Sequence, residues 1–427
     1  MYSNWLIFIL FGLSWNFPNI ITFGGSGVPF AFIFPSIIVI PNFIKSIFID
    51  KEYFHFKTFI FFIIILFTII FSIFSIQFDP REYFIRLFQI GSAFIVYLYV
   101  RSNFYLNVDP LKIFQALIIL QLPSLAFGFF EVINTLINIS ALEHFLIFIR
   151  SITSSARADI VSMNTITLHF FEHSMAAYYF ISIGIIIFIL FLKERKVFFE
   201  NATLYNFCVI LFIVIFLFHR STTFYVLLIL FSIIFILKTR NVLLGAFLII
   251  FIISGIFISS TIYFKLTVMM NGSIIASDLF RFSSMISGFW NFVTNPMTGT
   301  GPGTWSIYYL DGLHNFFNTF EFSPNTKDLF LLNGYVASFE NGGRAPLNSA
   351  YMALLGEYGI IFLLFIIFFH GKSFFIKTNS HILELTILGG LFLGYPLAYP
   401  YFWFVLGVLH SNFIPKTASQ NSKVFIA

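Results

Sequence analysis

Long apolar runs, each close to the length needed to cross a lipid bilayer, dominate this chain of 427 residues. A transmembrane helix needs about 20 such residues. The runs lie near 4–23, 27–49, 58–78, 83–100, 111–139, 174–192, 204–218, 222–237, 241–259, 350–369 and 382–410. Only 10% of the residues are charged, against about 25% in ordinary soluble domains. The sequence therefore predicts an all-α, polytopic membrane protein in which residues 1–427 form a single membrane domain.

The last apolar run decides how many helices cross the membrane. Residues 389–400 include three glycines and two prolines, so this run is predicted to be either one broken helix or two short ones. The chain would then have about 11–12 transmembrane helices. With a cytoplasmic N-terminus, 12 of the 23 basic residues fall in five short inner loops, as the positive-inside rule expects. Lys416 and Lys423 also prefer the inner side, which favours the twelfth crossing.

Two long connections, 140–173 and 260–349, lie on the outer side of this predicted topology. The second has about ninety residues, and loops of such length are usually functional or disordered. Its many aromatic residues are untypical of a disordered segment. We predict that it forms short helices and turns folded over the outer mouth of the helix bundle.

Arginine is concentrated on the outer side and lysine on the inner side. A guanidinium group presents a fixed fork of donors that suits phosphate and carboxylate. Any single arginine at the interface could instead extend its charge to water for no functional reason. Together, the outer arginines favour a shared role in binding an anionic substrate. They are Arg81, Arg86, Arg150, Arg157, Arg220, Arg281 and Arg344.

The glycine-rich stretch GTGPG, residues 299–303, raises the question of a phosphate-binding loop. It lacks the GK[ST] ending of a P-loop and the third glycine of a dinucleotide-binding loop. Pro302 also removes one backbone N–H. We therefore interpret the stretch as a tight turn. The preceding segment, which carries Arg281, is predicted to be an amphipathic helix. Its apolar side comprises Phe282, Met285, Phe289 and Trp290.

Signals for a metal, a cofactor or a nucleophile are weak. His169 and His173 have the spacing of a zinc-binding helix, but Phe170 stands where that motif has glutamate. Cys208 is the only cysteine and lies in an apolar run, which excludes an internal disulfide and a cysteine metal site. We expect neither metal nor cofactor. The net charge of +5 is not taken as a sign of nucleic-acid binding, because membrane proteins concentrate basic residues in inner loops.

The order of several short motifs resembles the superfamily of Wzy-type O-antigen polymerases and O-antigen ligases. Residues 157–179 contain an arginine followed by Phe-Glu-x-Ser, and 218–231 contain a short Arg-Ser hairpin. Residues 281–303 contain an arginine followed by Pro-x-x-Gly-x-Gly-x-Gly, and 348–361 read NSAYMALLGEYGII. The resemblance covers roughly residues 150–370.

This resemblance implies a metal-independent glycosyltransferase in the bacterial cytoplasmic (inner) membrane. Members of the superfamily move a glycan from undecaprenyl pyrophosphate to an acceptor hydroxyl on the outer face. The ligases deliver it to lipid A core and carry His-Asn where Leu347 precedes Asn348 here. That difference favours a polymerase of O-antigen or capsule repeat units. A flippase and a chain-length regulator are the implied protein partners, and no nucleic acid is expected.

The resemblance also implies roles for individual residues. Arg157 and Arg281 are predicted to stabilise the departing diphosphate, with Glu172 as the base or, alternatively, as a structural partner of an arginine. The predicted substrate-binding residues are Arg220, Arg344, His314, Asn348 and Tyr351. His314, Glu321 and Glu340 are rival bases. Glu357 is expected to cap or orient the late helix.

A flippase or other transporter is the alternative from a different class. Transporters commonly have two related halves, and broken helices with polar groups near the membrane midplane. Here the apolar runs contain few ionisable residues, Glu131 and Glu384 among them. Most of the polar residues lie outside the runs, which favours the glycosyltransferase.

Overall fold

The computed structural model describes part of the chain, and that part is almost entirely helical. The described residues are 22–23, 26–27, 41, 91, 94, 96–98, 100–101, 110–153, 181–182, 184, 203, 207, 210–211, 214–215, 229–234, 236–237, 276–320, 350–375, 379–393 and 400–411. Their helices are α1 (Pro110–Ile137), α2 (Ser140–Thr153), α3 (Ala276–Thr294), α4 (Trp305–Thr319), α5 (Ala350–Tyr358), α6 (Ile360–Phe375), α7 (Asn379–Leu393) and α8 (Pro400–His410). An antiparallel pair, β1 (Thr22–Phe23) and β2 (Ser26–Gly27), places Thr22 opposite Gly27. The all-α prediction is confirmed for these residues.

Helix α1 coincides with the apolar run predicted over 111–139. It ends where Asn138 adopts a left-handed backbone (φ 54°) and donates its N–H to the carbonyl of Asn134 at 2.8 Å, a common way to terminate a helix. Within the described ranges, one helical segment, Ile119–Ile137, is long and apolar enough to cross a membrane. Most other predicted spans lie wholly or largely outside the described residues. Shorter apolar helical segments are Ser140–Ile149, Ile360–Gly371 and His381–Phe392.

The two long connections contain helices where they are described. Helix α2 lies in the 140–173 segment, and α3 and α4 lie in the 260–349 segment. Helices α3 and α4 pack side by side, with Ser287 Oγ donating to the carbonyl of Tyr309 at 2.7 Å and Asn291 Nδ2 donating to the carbonyl of Tyr308 at 3.1 Å. The expectation of short helices and turns therefore holds for the described part of the large segment.

The buried face of α3 is formed by small and polar residues, not by its aromatic side. Phe289 is exposed, and Trp290 stacks edge-on with Phe316 rather than entering the core. The reason is close packing: a Cβ added at Gly288 would overlap the backbone of Met352 in α5, so the two helices approach nearly backbone to backbone. Small residues permit such an approach. The buried residues of this face are Ser283, Ser284, Ser287, Gly288 and Asn291.

The prediction of one continuous span over 350–369 is wrong. Helix α5 ends at Tyr358 and α6 begins at Ile360, with Gly359 between them at φ +60°. In a straight helix, residues 19 positions apart would be separated by about 28 Å. Instead, the Tyr351 hydroxyl lies 3.0 Å from His370 Nε2. The chain therefore folds back at Gly359, and α5 and α6 pack against each other.

The predicted interruption of the 382–410 run is confirmed. Helix α7 ends at Leu393 and α8 starts at Pro400. Helices α6 and α7 pack together, as do α7 and α8, around buried aromatic residues. Phe369 contacts the rings of Tyr97 and Trp403, with centroids 5.0 and 6.3 Å away. Within the described residues, these helices enclose one buried core, and α3, α4 and α5 enclose another around Trp305 and Tyr309.

Candidate functional site

The glycine-rich stretch 299–303 is a turn that docks onto the end of α5. The backbone N–H of Thr300 donates to the carbonyl of Gly356 at 2.9 Å, and that of Gly301 donates to the carbonyl of Glu357 at 3.0 Å. Gly299 donates its N–H to the carbonyl of Asn295 at 2.9 Å. These amide donors are already satisfied inside the protein, so they do not form a phosphate cradle. The interpretation as a tight turn is confirmed.

Glu357 caps a helix, although not the one expected from the sequence. Its Oε1 accepts the backbone N–H of Trp305, the first residue of α4, at 3.0 Å, and the carboxylate is fully buried. The first N–H groups of a helix have no partner within the helix, and a negative charge is favourable at that end. Glu357 therefore joins the start of α4 to α5, in the same place where the glycine turn binds α5.

We expect Glu357→Ala to destabilise the protein by about 1.5–3 kcal/mol, because the charged hydrogen bond is lost and the Trp305 N–H is left buried without an acceptor. Glu357→Gln keeps an acceptor oxygen and should lose less. Thermal unfolding in detergent, followed by tryptophan fluorescence, measures both. Equal midpoints for the alanine variant and the wild type would show that the cap contributes nothing.

The hairpin of α3 and α4 brings two predicted site residues to the same end. The pairing of Ser287 with Tyr309 and of Asn291 with Tyr308 sets an antiparallel register. In that register, the positions of Arg281, in the second turn of α3, and His314, on α4, differ along the hairpin axis by about one helical turn or less. His314 is half-buried. The hairpin therefore places both residues at the end opposite the glycine turn.

Tyr309, between these residues and the turn, does not serve as an acid or base near neutral pH. Its side chain is fully buried, and this burial raises the pKa of the Tyr309 hydroxyl to about 12. It remains a neutral hydroxyl in the core of α3, α4 and α5. Its role is packing: its ring centroid lies 5.4 Å from that of Trp305.

Tyr351 is the other predicted site residue that lies within the described ranges. Tyr351 is fully buried and hydrogen-bonded to His370. The reversal at Gly359 turns the start of α5 toward α6 and so brings Tyr351 to this histidine. Its role in substrate binding stays a prediction. The predicted residues outside the described ranges are Arg157, Glu172, Arg220, Arg344 and Asn348, with the rival bases Glu321 and Glu340.

A buried carboxylate, that of Glu384, lies among three histidines. Glu384 Oε1 lies 2.7 Å from His370 Nδ1 and 2.7 Å from His410 Nε2. The other carboxylate oxygen, Oε2, lies 3.5 Å from His381 Nδ1. Helices α6, α7 and α8 thus each contribute to what we call the His–Glu–His cluster, namely His370, Glu384 and His410.

Two tyrosines hold the outer nitrogens of the histidine rings. His370 Nε2 lies 3.0 Å from the Tyr351 hydroxyl, and His410 Nδ1 lies 2.8 Å from the Tyr97 hydroxyl. Both tyrosines are fully buried. The phenylalanine ring of Phe369 packs against both imidazoles, with centroids 4.9 and 5.2 Å away. Each imidazole is therefore fixed in position and orientation by an aromatic face and a hydroxyl.

Chemically, this arrangement could hold a metal ion or share a proton. The three donor atoms of the cluster lie within 4.8 Å of one another, and histidine and carboxylate are common metal ligands. Sequence reasoning missed the histidines. The sequence feature that indicated this cluster was Glu384, a carboxylate inside an apolar run. Burying an ionisable group in such a run is costly, and the residues found there usually have a function. His370 and His410 gave no comparable signal, since each stands at the end of its run.

Comparison of the chain with models of known protein families, with curated proteins and with solved structures finds no match.

Proposed function

We propose that this protein is a polytopic polysaccharide polymerase of the cytoplasmic membrane. It would transfer undecaprenyl-pyrophosphate-linked glycan to an acceptor sugar hydroxyl of another lipid-linked unit on the outer face. The proposal starts from the order of motifs over residues 150–370. The observation that carries it furthest is that two of these motif segments form a single packing unit.

That unit consists of the α3–α4 hairpin with its glycine turn, docked on α5. Thr300 and Gly301 of the Pro-x-x-Gly-x-Gly-x-Gly segment donate to carbonyls of the NSAYMALLGEYGII segment, and Glu357 of the latter caps α4. Two segments about fifty residues apart in the chain are therefore joined by hydrogen bonds. Together they hold a helical hairpin in which the backbone positions of Arg281 and His314 lie at the same end.

Exposed apolar helix faces support the membrane setting. On α6, Leu363, Leu364, Ile367 and Phe368 are all exposed, and their spacing puts them on one face of the helix. On α1, Leu136 and Ile137 are also exposed. Contiguous apolar surface of this kind is unfavourable in water, whereas lipid chains would cover it without cost.

The proposed reaction needs an anion-binding group and a base. The acceptor hydroxyl oxygen forms a bond to the anomeric carbon of the donor glycan, whose bond to the diphosphate oxygen breaks. Undecaprenyl pyrophosphate leaves with the bonding electron pair, and the hydroxyl proton passes to the base, for which Glu172 is our candidate. Arg157 and Arg281 stabilise the charge on the departing diphosphate. The proposed substrate-binding residues are Arg220, Arg344, His314, Asn348 and Tyr351.

We expect Arg281→Ala and Arg157→Ala to reduce polymerisation by about 10²–10³-fold, the usual cost of removing one group that stabilises charge in the transition state. The assay uses purified protein in detergent with synthetic undecaprenyl-pyrophosphate oligosaccharide and no added metal. The wild type should give a ladder of longer lipid-linked glycans, separated by gel electrophoresis.

Arg195→Ala is the matched control, since Arg195 lies in a predicted inner loop and should leave the ladder unchanged. A wild type that makes no ladder, or that transfers only to lipid A core as an O-antigen ligase would, contradicts the polymerase. An unchanged ladder in either outer arginine variant removes that residue from the proposed site.

A transporter of lipid-linked glycan is the second candidate, and two structural features favour it. The reversal at Gly359 and the interruption between α7 and α8 are helix breaks, and the His–Glu–His cluster is a buried ionisable group of the kind found in transporters. In proteoliposomes, a transporter would move labelled lipid-linked oligosaccharide to the opposite leaflet without lengthening it. A polymerase would lengthen it without requiring that movement.

A further inference from the structure

We propose that the His–Glu–His cluster is a binding site for a divalent transition metal ion, best suited to Zn²⁺. The ligand atoms would be His370 Nδ1, His410 Nε2 and Glu384 Oε1. Two histidines and one glutamate form a known ligand set for zinc, with the fourth position open. The site is separate from the α3–α4 hairpin, so the inference does not rest on the proposed glycosyl transfer.

The distances in the cluster suit an ion-free form of such a site. Glu384 Oε1 lies 2.7 Å from each of the two histidine nitrogens. Around tetrahedral zinc, with bonds of about 2.0–2.1 Å, two ligand atoms lie about 3.3 Å apart. Each of these two oxygen–nitrogen distances therefore has to lengthen by about 0.6 Å, a change that small side-chain rotations can provide.

The surrounding residues resemble the outer shell of a metal site. A metal-binding histidine usually makes a second hydrogen bond through its other ring nitrogen, which fixes the tautomer and the ring orientation. Here Tyr351 and Tyr97 occupy these outer positions. A hydroxyl both donates and accepts. The same tyrosines can therefore donate to the outer nitrogen in the ion-free form and accept from its N–H in the bound form.

Charge and access also favour a cation. Glu384 is almost fully buried, and a buried carboxylate is costly unless it is well compensated. A divalent ion bonded directly to the carboxylate oxygen would compensate its charge. His410 is 10% exposed and His381 is 21% exposed, so the cluster is open on the side where these two residues lie. His381 Nδ1 lies 3.5 Å from Glu384 Oε2, so His381 lies on the more exposed side of the cluster, where an ion would enter.

The consequence of binding is a cross-link between helices. The three ligands come from α6, α7 and α8, and the Tyr97 hydroxyl adds the helical segment to which Tyr97 belongs. A bound ion would stabilise the native state by mass action, since the unfolded chain lacks a preformed site. We therefore expect the metal to strengthen the packing of the C-terminal helices.

The test is the metal content of the full-length protein in detergent. The protein is stripped with a chelator, given one equivalent of Zn²⁺ and desalted, and zinc is measured by mass spectrometry. We expect one tightly held zinc ion per chain and a higher thermal unfolding midpoint. His370→Gln and His410→Gln should retain none, and Tyr97→Phe should bind zinc about 10–100-fold more weakly.

His144→Gln is the control, because His144 is exposed on α2 and bonds only to the carbonyl of Ser140 among its described contacts. It should bind zinc like the wild type. If folded wild type retains no zinc, or if either glutamine variant retains as much as wild type, the site does not exist. If the glutamine variants fail to fold, Co²⁺ replaces Zn²⁺ in the wild type. Intense visible bands of four-coordinate cobalt support the site, and a spectrum like that of aqueous cobalt overturns it.

Discussion

Glu384→Leu is expected to destabilise the protein by about 3–5 kcal/mol, the cost of removing one partner from a buried polar group. Leucine fills a similar volume but accepts no hydrogen bond. The nitrogens of His370 and His410 that face Glu384 Oε1 at 2.7 Å would be left buried without their acceptor, and each such group costs about 1–3 kcal/mol. The loss is measured as a lower thermal unfolding midpoint of the purified protein in detergent.

Glu384→Gln separates the loss of the acceptor from the loss of charge. Its amide oxygen can still accept hydrogen bonds from both histidines, so without metal it should be clearly more stable than the leucine variant. With Zn²⁺ present, the wild type should gain stability that the glutamine variant does not, since a neutral amide is a poor substitute for a carboxylate ligand. A leucine variant as stable as the wild type would show that the cluster adds nothing to folding.

Gly299→Ala is expected to destabilise the protein by about 2–4 kcal/mol, combining left-handed backbone strain with overpacking. Gly299 has φ +65°, a conformation that alanine rarely adopts. A Cβ there would also overlap the backbone of Glu357, which is held in place by its hydrogen bonds to the turn. Relief requires the turn to leave α5, so the Glu357 cap on α4 should weaken as well.

Gly371→Ala is the matched control for this substitution. Gly371 lies in α6 with no atom within 4 Å of an added Cβ, so alanine should be neutral or stabilise the helix by up to about 1 kcal/mol. We expect Gly299→Ala to lower polymerisation together with the unfolding midpoint, because the α3–α4 hairpin loses its support. A normal midpoint in Gly299→Ala would contradict the packing described for the turn.

The positions of many helices follow from the sequence, since they depend on local properties. The run predicted over 111–139 became α1 (Pro110–Ile137), because a long, mostly apolar segment satisfies its backbone hydrogen bonds internally as a helix. The glycines and prolines near 389–400 predicted the break between α7 and α8 for the same local reason. Pro302 and its neighbouring glycines predicted the turn.

The reversal at Gly359 depends instead on contacts distant in the chain. The sequence Glu-Tyr-Gly-Ile-Ile reads as part of a continuous apolar helix, and a lone glycine within a helix is tolerated. The break is stabilised by Ile360, whose N–H donates to the carbonyl of Pro296 at 2.7 Å. That partner belongs to the turn after α3, more than sixty residues earlier. No local pattern reveals it, so the contact between Tyr351 and His370 could not be predicted from the sequence.

By itself, the sequence determined the helical class, the turn at 299–303, the interruption near 394–400 and the presence of one costly carboxylate, Glu384. Only the tertiary structure decided that His370, Glu384 and His410 meet. Hydropathy and periodicity indicate which faces of a segment of about twenty residues favour apolar surroundings and which favour water. They carry no information on which segments become neighbours. The three ligand residues come from three helices, and Tyr97 lies 313 positions from its partner His410, so their convergence depends on helix packing alone.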